Sequence, residues 1–319
     1  MPCYHPLQGY RARGGKHIVF NLKDGWIDQK VTVPCGQCIG CRLERSRQWA
    51  MRCMHEASLY EDNCFITLTY NNEHLPEDGS LHKEHFQKFM KRLRKRTGKK
   101  IRFFHCGEYG KVLGVDGSTP LPHPIVGGRE ALGRPHYHAI LFGEDFTDEI
   151  GKRKVYSVRD GIPLYTSEFL EDVWGKGFVT IGEVTNQSAA YVARYVMKKV
   201  GGEMAEDYYK KLEGGVWYNV KPEYTTMSRR PGIGQEWIDK YLEDVFPRDE
   251  LVIEGKKRIV PKYYWARYKE TKPAEAELVR KRRVKAAKAR AEDNNLERLR
   301  VKEKCLTARI SKLKRGLTE

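Results

Sequence analysis

The 319-residue sequence lacks any apolar run that approaches the roughly 20 residues needed to cross a membrane. Its first residues, Met1–Pro6, contain no apolar core of a secretory signal peptide. We therefore expect no membrane partner and a cytosolic location, where cysteines stay reduced. In that setting the eight cysteines are better suited to metal binding than to disulfide formation.

The sequence also lacks a G-x-x-x-x-G-K-[ST] loop, so no fused helicase of the P-loop type is expected. Acidic residues are comparatively few. There are 42 Asp and Glu against 59 Lys and Arg, which gives a net charge of +17. Residues 280–319 alone hold 15 Lys and Arg against 5 Asp and Glu. This charge indicates a polyanionic partner, nucleic acid before membrane.

Three cysteines lie in one short segment, Pro34-Cys35-Gly36-Gln37-Cys38-Ile39-Gly40-Cys41-Arg42. Overlapping C-x-x-C spacings resemble a zinc knuckle, in which tight turns let thiolates converge on one ion. For the fourth ligand we expect Cys3, with Cys53 or His55 as alternatives. An iron–sulfur cluster is less favoured, because the ferredoxin pattern would place a cysteine where the sequence has Arg45. Reduced cysteines in a glycine-rich turn are the other interpretation.

Alternation and helical periodicity predict an α+β fold with a central antiparallel sheet and flanking helices. The predicted strands are 64–70, 101–110, 133–143 and 178–184, and the predicted helices are 42–60, 82–96, 188–199 and 235–246. From Lys272 onward the composition predicts a basic, helical tail, with a basic arm on DNA as the alternative. We expect a Cys-rich N-terminal segment with a basic helix over 1–60, a core over 61–250 and the tail over 251–319.

Two histidines, His136 and His138, lie on one predicted strand. Residues i and i+2 of a strand share a face about 7 Å apart, so both imidazoles face one side while Tyr137 faces the other. If this strand pairs with the one that ends near Glu108, that carboxylate can complete a metal site. Another acid or His105 could supply the third ligand. Histidines satisfied by packing are the alternative for an isolated H-x-H.

The helix predicted from Ser188 carries Tyr191 and Tyr195, whose hydroxyls rise from one face, one turn apart. Lys198 and Lys199 follow within the next turn. Taken alone, an aromatic pair with this spacing usually reflects core packing.

Arginines on this helix and in a later loop are expected to contact phosphates. Arg194 lies between the two tyrosines, and the loop Met227-Ser228-Arg229-Arg230-Pro231-Gly232-Ile233-Gly234 supplies Arg229 and Arg230.

In combination and in this order, these features resemble the HUH endonucleases, whose two histidines flank a residue that is usually hydrophobic, here Tyr137. The resemblance is closest to the replication initiation proteins of microviruses, particularly the gokushovirus branch. It covers most of the chain, through PCGQCIGCR, CFITLTY, FFHCGEYG, GRPHYHAILFG, YVARYVMKK and MSRRPGIG. The pattern Tyr-x-x-x-Tyr-x-x-Lys makes the match specific.

The resemblance implies a site-specific single-stranded DNA endonuclease and strand transferase that initiates rolling-circle replication. Mn²⁺ or Mg²⁺ would act on the scissile phosphate, and a tyrosine would be the nucleophile, leaving a 5′-phosphotyrosine link and a free 3′-hydroxyl. The residues implicated are His136, His138 and Glu108 as metal ligands, and Tyr191, Tyr195, Lys198 and Lys199 as catalytic residues.

The resemblance further implies origin DNA, a host helicase and a host DNA polymerase as partners, in the cytoplasm of a host bacterium. Two other functions stay open. Two histidines and one carboxylate also suit an iron oxygenase. A non-catalytic, zinc-stabilised nucleic-acid-binding protein would use the same histidines and tyrosines as core residues.

Overall fold

The computed structural model describes residues 3–15, 17–110, 125–126, 129–130, 132–148, 150–159, 161–195, 208–213 and 216–311. The chain divides into two compact units, one formed by Met1–Arg45 with Glu243–Glu319 and the other by Ser46–Leu242. The predicted division into 1–60, 61–250 and 251–319 stays a prediction.

The strands and helices of the described residues are numbered in chain order. The strands are β1 Leu7–Ala12, β2 Ile18–Val19, β3 Gly25–Val33, β4 Asn63–Thr69, β5 Arg102–Tyr109, β6 Ile125–Val126, β7 Arg129–Glu130, β8 Pro135–Phe142, β9 Lys154–Arg159, β10 Ile162–Thr166, β11 Val179–Gly182, β12 Lys210–Glu213, β13 Val216–Asn219, β14 Tyr224–Met227, β15 Glu250–Ile253 and β16 Lys256–Ile259. The helices are α1 Ile39–Ala57, α2 Lys83–Thr97, α3 Glu168–Trp174, α4 Asn186–Tyr195, α5 Gln235–Lys240, α6 Leu242–Val245, α7 Lys262–Thr271, α8 Pro273–Ala289 and α9 Leu296–Ser311.

The Ser46–Leu242 unit is built on a seven-stranded sheet in the order β14-β5-β8-β4-β11-β10-β9, with every neighbouring pair antiparallel. This confirms the predicted α+β fold. Strand β4 shows why the chain extends here, since Cys64, Ile66 and Leu68 are buried and alternate with less buried residues. All four predicted strands are present, and the last is shortened to β11.

Helices cover both faces of this sheet. On one face, α2 and α3 bury Phe89 and Trp174 against Leu141 of β8. On the other face, α1 and α4 bury Ala57 and Val192 against neighbouring strand residues such as Ile140. Each large apolar side chain that is fully buried contributes roughly 1.5–3 kcal/mol relative to an exposed one. The central strands are therefore fixed from both sides.

The helix predicted over 235–246 is interrupted. It forms α5 and α6, separated at Tyr241, where the backbone leaves helical geometry with φ −109° and ψ 24°. The helices predicted over 42–60 and 82–96 correspond to α1 and α2, whose bounds differ from the prediction by a few residues. Helix α2 is followed by Gly98 with φ 68°, a left-handed conformation that favours glycine.

The Met1–Arg45 and Glu243–Glu319 unit contains a three-stranded sheet, ordered β2-β1-β3, and the helical tail. Helices α8 and α9 agree with the predicted helical tail, and Leu299 of α9 is buried. Apolar residues near heptad spacing, Leu296, Leu299, Leu306, Ile310, Leu313 and Leu317, suggest a short coiled coil or a docked helix, which stays a prediction. Leu313 and Leu317 lie outside the described residues. In the ranges that the structure describes, no helix is both long and apolar enough to span a membrane.

Tyr137 anchors β8 on the side away from the two histidines, as predicted. Its hydroxyl accepts a hydrogen bond from the His82 amide at 3.0 Å and lies 2.7 Å from the hydroxyl of Tyr70. Tyr70 in turn lies 2.6 Å from Nδ1 of His85. Burial raises the pKa of Tyr137, so this hydroxyl stays protonated and can donate. The network ties β8 to the start of α2.

Replacing Tyr137→Phe should lower the free energy of unfolding of the chain by about 1–3 kcal/mol, because the His82 amide and the Tyr70 hydroxyl lose a buried partner. Urea denaturation measures this loss. Tyr156→Phe is the matched control, since Tyr156 is 65% exposed and should change stability little. Equal stability of the two variants would contradict the role given to Tyr137.

Candidate active site

The antiparallel register of β5 and β8 brings the predicted acid to the predicted histidines. Glu108 is the direct cross-strand partner of His136. On the other side of β8, Thr67 of β4 is the direct partner of His138. Directly opposed residues on neighbouring strands place their side chains on the same face, close enough to interact.

Glu108, His136 and His138 form a compact group, which we call the acid–histidine triad. One oxygen of Glu108, Oε1, lies 2.9 Å from Nε2 of His136 and 2.9 Å from Nε2 of His138. The two imidazole planes are perpendicular, with ring centroids 4.9 Å apart. The Glu108 and His138 side chains are 3% and 2% exposed, while His136 keeps 17%. A substrate would therefore reach the triad from the His136 side.

The far nitrogens of both rings are held by protein groups. Nδ1 of His136 lies 3.2 Å from the carbonyl oxygen of Arg134, which can only accept, so Nδ1 carries the hydrogen. Nδ1 of His138 lies 2.9 Å from Oγ1 of Thr67. Such contacts fix the ring orientation and tautomer of metal-binding histidines.

A divalent cation fits this arrangement. With Nδ1 protonated, a neutral His136 would direct the lone pair of Nε2 at the Glu108 carboxylate, so a second proton or a cation must lie between them. Ligand atoms at right angles on bonds of about 2.1 Å are about 3.0 Å apart, close to the two 2.9 Å separations. A carboxylate with two imidazoles suits Mn²⁺ and related ions.

Glu108 is an anion in this setting. Burial by itself raises the pKa of Glu108, but its contacts with His136 and His138 outweigh burial and hold the pKa far below its usual value. The buried carboxylate is thus available as a ligand at any physiological pH.

Helix α4 carries Tyr191 to the triad. The Tyr191 ring is edge-on to the His138 ring, with centroids 5.3 Å apart and planes at 88°, and it also contacts Phe65 at 6.1 Å. The helix begins at Asn186, two residues before Ser188, where we predicted its start. Thr185 precedes the first turn, and its amide donates to Oγ of Ser188 at 2.8 Å.

Other residues predicted on this helix can be placed only in part. Arg194 and Tyr195 belong to the backbone of α4, and four residues along a helix rise about 6 Å. The side chains of both lie outside the described part of the structure, as do Lys198 and Lys199 entirely. Their roles stay predictions.

The structure brings together the four cysteines predicted to bind zinc. The Sγ atoms of Cys3, Cys35, Cys38 and Cys41 all lie within 4.8 Å of one another. Sγ of Cys3 and Sγ of Cys35 are 3.7 Å apart, and the Tyr4 amide donates to Sγ of Cys38 at 3.4 Å. Burial raises the pKa of the Cys38 thiol, but hydrogen bonds from the Tyr4 and Cys41 amides and neighbouring thiols outweigh it and lower the pKa to about 6.

Cys3, the preferred candidate for the fourth ligand, is the fourth cysteine of this cluster. Of the two alternatives, Cys53 is fully buried in the core between α1 and the sheet, and the His55 ring stacks on Trp237 with centroids 3.6 Å apart. Both belong to the Ser46–Leu242 unit, whereas the four cysteines belong to the other.

Arg229 and Arg230 do not join the triad. They are exposed and follow β14, whose last residue, Met227, pairs with Phe104 of β5. The loop therefore lies at the Arg102 end of β5, opposite to the end that carries Glu108. His105, the other candidate third ligand, faces the opposite side of the sheet and stacks on Phe86.

Comparison with known proteins assigns the family. A sequence model of the family Replication-associated protein ORF2/G2P matches residues 63–200. The Replication-associated protein VP4 of Bdellovibrio phage phiMH2K is 34% identical over 281 residues, which cover 86% of this chain and 79% of that protein. The chain belongs to the replication-associated proteins of microviruses.

Other members of this microvirus family agree. The Replication-associated protein ORF2 of Spiroplasma virus 4 is 32% identical over 288 residues, covering 83% of this chain and 79% of that protein. The Replication-associated protein ORF4 of Chlamydia phage 1 is 31% identical over 244 residues, covering 73% of this chain and 52% of that protein. No solved structure matches. The resemblance to microvirus initiators is thereby confirmed.

The matched range 63–200 contains the triad and Tyr191, whereas the four cysteines and the Arg229 loop lie outside it. Sequence reasoning did not assign a role to Thr67 or to the Arg134 carbonyl. Alternation along the predicted strand 64–70 puts Thr67 and Thr69 on one face, but only the cross-strand register shows that Thr67 meets His138.

Replacing Thr67→Val should weaken Mn²⁺ binding about 10- to 100-fold, because Nδ1 of His138 loses the partner that orients the ring. Free Mn²⁺ measured by electron paramagnetic resonance during titration gives the affinity. Thr67→Ser should retain it. Thr69→Val is the matched control, since Oγ1 of Thr69 donates to the Phe178 carbonyl instead. Unchanged Mn²⁺ affinity in Thr67→Val would refute the assignment.

Proposed function

We propose that this microvirus replication protein is a site-specific single-stranded DNA endonuclease and strand transferase that initiates rolling-circle replication as an HUH endonuclease. The observation that carries the proposal is the position of the Tyr191 ring, 5.3 Å from the ring of His138 in the acid–histidine triad. A potential nucleophile beside a potential divalent-cation site is the arrangement that metal-assisted phosphoryl transfer needs.

The chemistry follows from the charge that develops on the scissile phosphate. Glu108, His136 and His138 would hold Mn²⁺ or Mg²⁺, which supplies Lewis-acid stabilisation to the non-bridging oxygens. Tyr191 gives up its phenol proton to solvent and its oxygen attacks phosphorus. The bond from phosphorus to the 3′ oxygen breaks, and that oxygen leaves as a hydroxyl with a proton from water. The 5′ phosphate remains on the tyrosine.

The covalent link conserves the energy of the phosphodiester. A 3′-hydroxyl that attacks the phosphotyrosine reverses the step, reseals the strand and regenerates the phenol. Tyr195, one turn further along α4, is the second nucleophile in the proposal, so that one tyrosine holds the 5′ end while the other cleaves. Lys198 and Lys199 supply positive charge that favours the phenolate, and Arg194 contacts the backbone phosphates.

The partners follow from the same function. The substrate is single-stranded and origin DNA of the phage, which agrees with the net charge of +17. Unwinding and synthesis fall to a host helicase and a host DNA polymerase in the bacterial cytoplasm. A non-catalytic, zinc-stabilised nucleic-acid-binding protein is the second candidate. The feature that supports it is the cluster of four cysteines, which resembles a zinc knuckle.

We expect Tyr191→Phe/Tyr195→Phe to form no covalent adduct with circular single-stranded phage DNA in Mn²⁺, because no nucleophile remains. His136→Ala/His138→Ala should lower the rate of nicking by about two orders of magnitude or more, since Lewis-acid stabilisation is worth several kcal/mol. Adducts are detected by gel shift of labelled DNA after denaturation.

Tyr156→Phe is the control for the tyrosine substitutions, because Tyr156 is an exposed tyrosine of the same unit. An adduct of full yield in the double tyrosine variant would overturn the proposed nucleophiles. Unaltered DNA binding in the histidine variant, together with no nicking by the unmodified chain, would support the non-catalytic alternative.

We also propose that Cys3, Cys35, Cys38 and Cys41 hold a structural Zn²⁺. Four sulfurs at about 2.3 Å from a tetrahedral ion are about 3.8 Å apart, close to the 3.7 Å between Cys3 and Cys35. Cys3 precedes β1 and Cys35 follows β3. The first residue of β1, Leu7, pairs with the last residue of β3, Val33, so both cysteines lie at the same end of the sheet. The ion would close a sheet whose side chains are largely exposed.

The unmodified chain should therefore carry one Zn²⁺, and Cys38→Ser should carry none and be cut faster by trypsin at the exposed Lys23 and Lys30. Elemental analysis and limited proteolysis measure the two effects. Cys305→Ser, which changes an exposed cysteine of α9, should keep the ion and the resistance. Zinc retained in full by Cys38→Ser would exclude this site.

A further inference from the structure

Three charged side chains are buried at the Arg102 end of β5, away from the triad. Glu56 is 1% exposed, Arg102 4% and Arg52 9%. Nε of Arg102 donates to Oε1 of Glu56 at 2.5 Å. Charges removed from water this completely are costly to bury unless they are well paired.

All three side chains hold the backbone of one loop, residues 228–234, which we call the basic loop. The contacts are Arg102 Nη2 to the Pro231 carbonyl at 2.8 Å, Arg52 Nε to the Ile233 carbonyl at 2.9 Å, and the Gly234 amide to Oε2 of Glu56 at 2.6 Å. The start of the loop is fixed as well, because the Ser228 amide donates to the Phe103 carbonyl at 3.0 Å and Oγ of Ser228 accepts from the Phe103 amide at 3.1 Å.

The buried network therefore fixes a loop whose exposed charged side chains are Arg229 and Arg230. An arginine on a rigid base loses less conformational freedom when it binds, and its guanidinium matches the oxygens of a phosphate with two parallel hydrogen bonds.

The basic loop follows β14, which pairs with β5 and places the loop at the Arg102 end of β5. Arg102 and Glu108 are six residues apart on β5, about 20 Å at roughly 3.3 Å per residue, and their even spacing puts both on the same face. Stacked nucleotides of one strand are spaced by about 3.4 Å. A strand at this stacked spacing would cover the distance between these two ends of β5 with about six nucleotides.

We propose that the basic loop is a preformed clamp for DNA phosphates, about six nucleotides along the strand from the phosphate held at the triad. Arg229 and Arg230 contact the phosphates, and Arg52, Glu56 and Arg102 are positioning residues that hold the loop. The inference rests on the proposed nuclease function. It assigns the substrate a minimum length, because a strand shorter than this span engages only one of the two elements.

The test uses fluorescence anisotropy of mixed-sequence single-stranded oligonucleotides of about 4 and about 24 nucleotides, so that only the longer one can span both elements, with EDTA present so that binding is measured without cleavage. The unmodified chain should bind the longer oligonucleotide at least tenfold more tightly. In Arg229→Ala/Arg230→Ala this advantage should be lost, and the slope of log K against log salt should fall by about 1.4, since each phosphate contact on a single strand contributes about 0.7.

Lys91→Ala/Lys95→Ala is the matched control. It removes the same charge from exposed positions of α2, on the other face of the sheet, and should keep the preference for the longer strand. If both double variants lose the same affinity, total charge rather than the basic loop binds DNA, and the proposal is overturned.

The positioning role has its own readout. Glu56→Gln alone should weaken binding of the longer oligonucleotide. Added to Arg229→Ala/Arg230→Ala it should cause no further loss, because Glu56 acts through the phosphate contacts of these two arginines. An additive loss would overturn that role. Failure of the unmodified chain to bind either oligonucleotide and to nick phage DNA in Mn²⁺ would overturn the proposed function itself. Nicking of phage DNA in Mn²⁺ together with no length preference in the binding assay would overturn only the clamp.

Discussion

The register of β5 against β8 is the constraint on which the candidate site depends. It places Glu108 directly opposite His136, so that one carboxylate oxygen reaches both imidazoles. A shift by one residue would turn either the acid or both histidines to the other face of the sheet. The shift is opposed on both faces at once, because β8 buries Tyr137 and Leu141 under one pair of helices and Ile140 under the other.

The sequence was sufficient for features that depend on local periodicity. Alternation along one strand put His136 and His138 together and sent Tyr137 to the other side, and the strand end marked Glu108. Features that depend on pairing between distant segments were not accessible. Thr67 meets His138 across 71 positions of sequence, and Arg102 meets Glu56 across 46. No pattern within either segment specifies such a partner.

The break at Tyr241 illustrates the same limit on a smaller scale. The apolar residues from Gln235 to Phe246 keep helical spacing, which predicts one helix, yet the backbone turns between α5 and α6. The boundary between the two compact units falls next to this break. Periodicity records that side chains are buried, but it does not record where the backbone turns between them.

Two histidines and a carboxylate do not determine a reaction, because the same ligand set serves iron oxygenases and metal-dependent nucleases. The surroundings decide which substrate can be used. A partly exposed His136 leaves the triad open on one side, Tyr191 lies against His138, and the chain carries a net charge of +17. Oxygenase chemistry has no use for a nucleophile beside the metal ligands, whereas cleavage of a phosphodiester needs a nucleophile in reach and cationic surroundings. The donor set permits several reactions, and its neighbours favour cleavage of DNA.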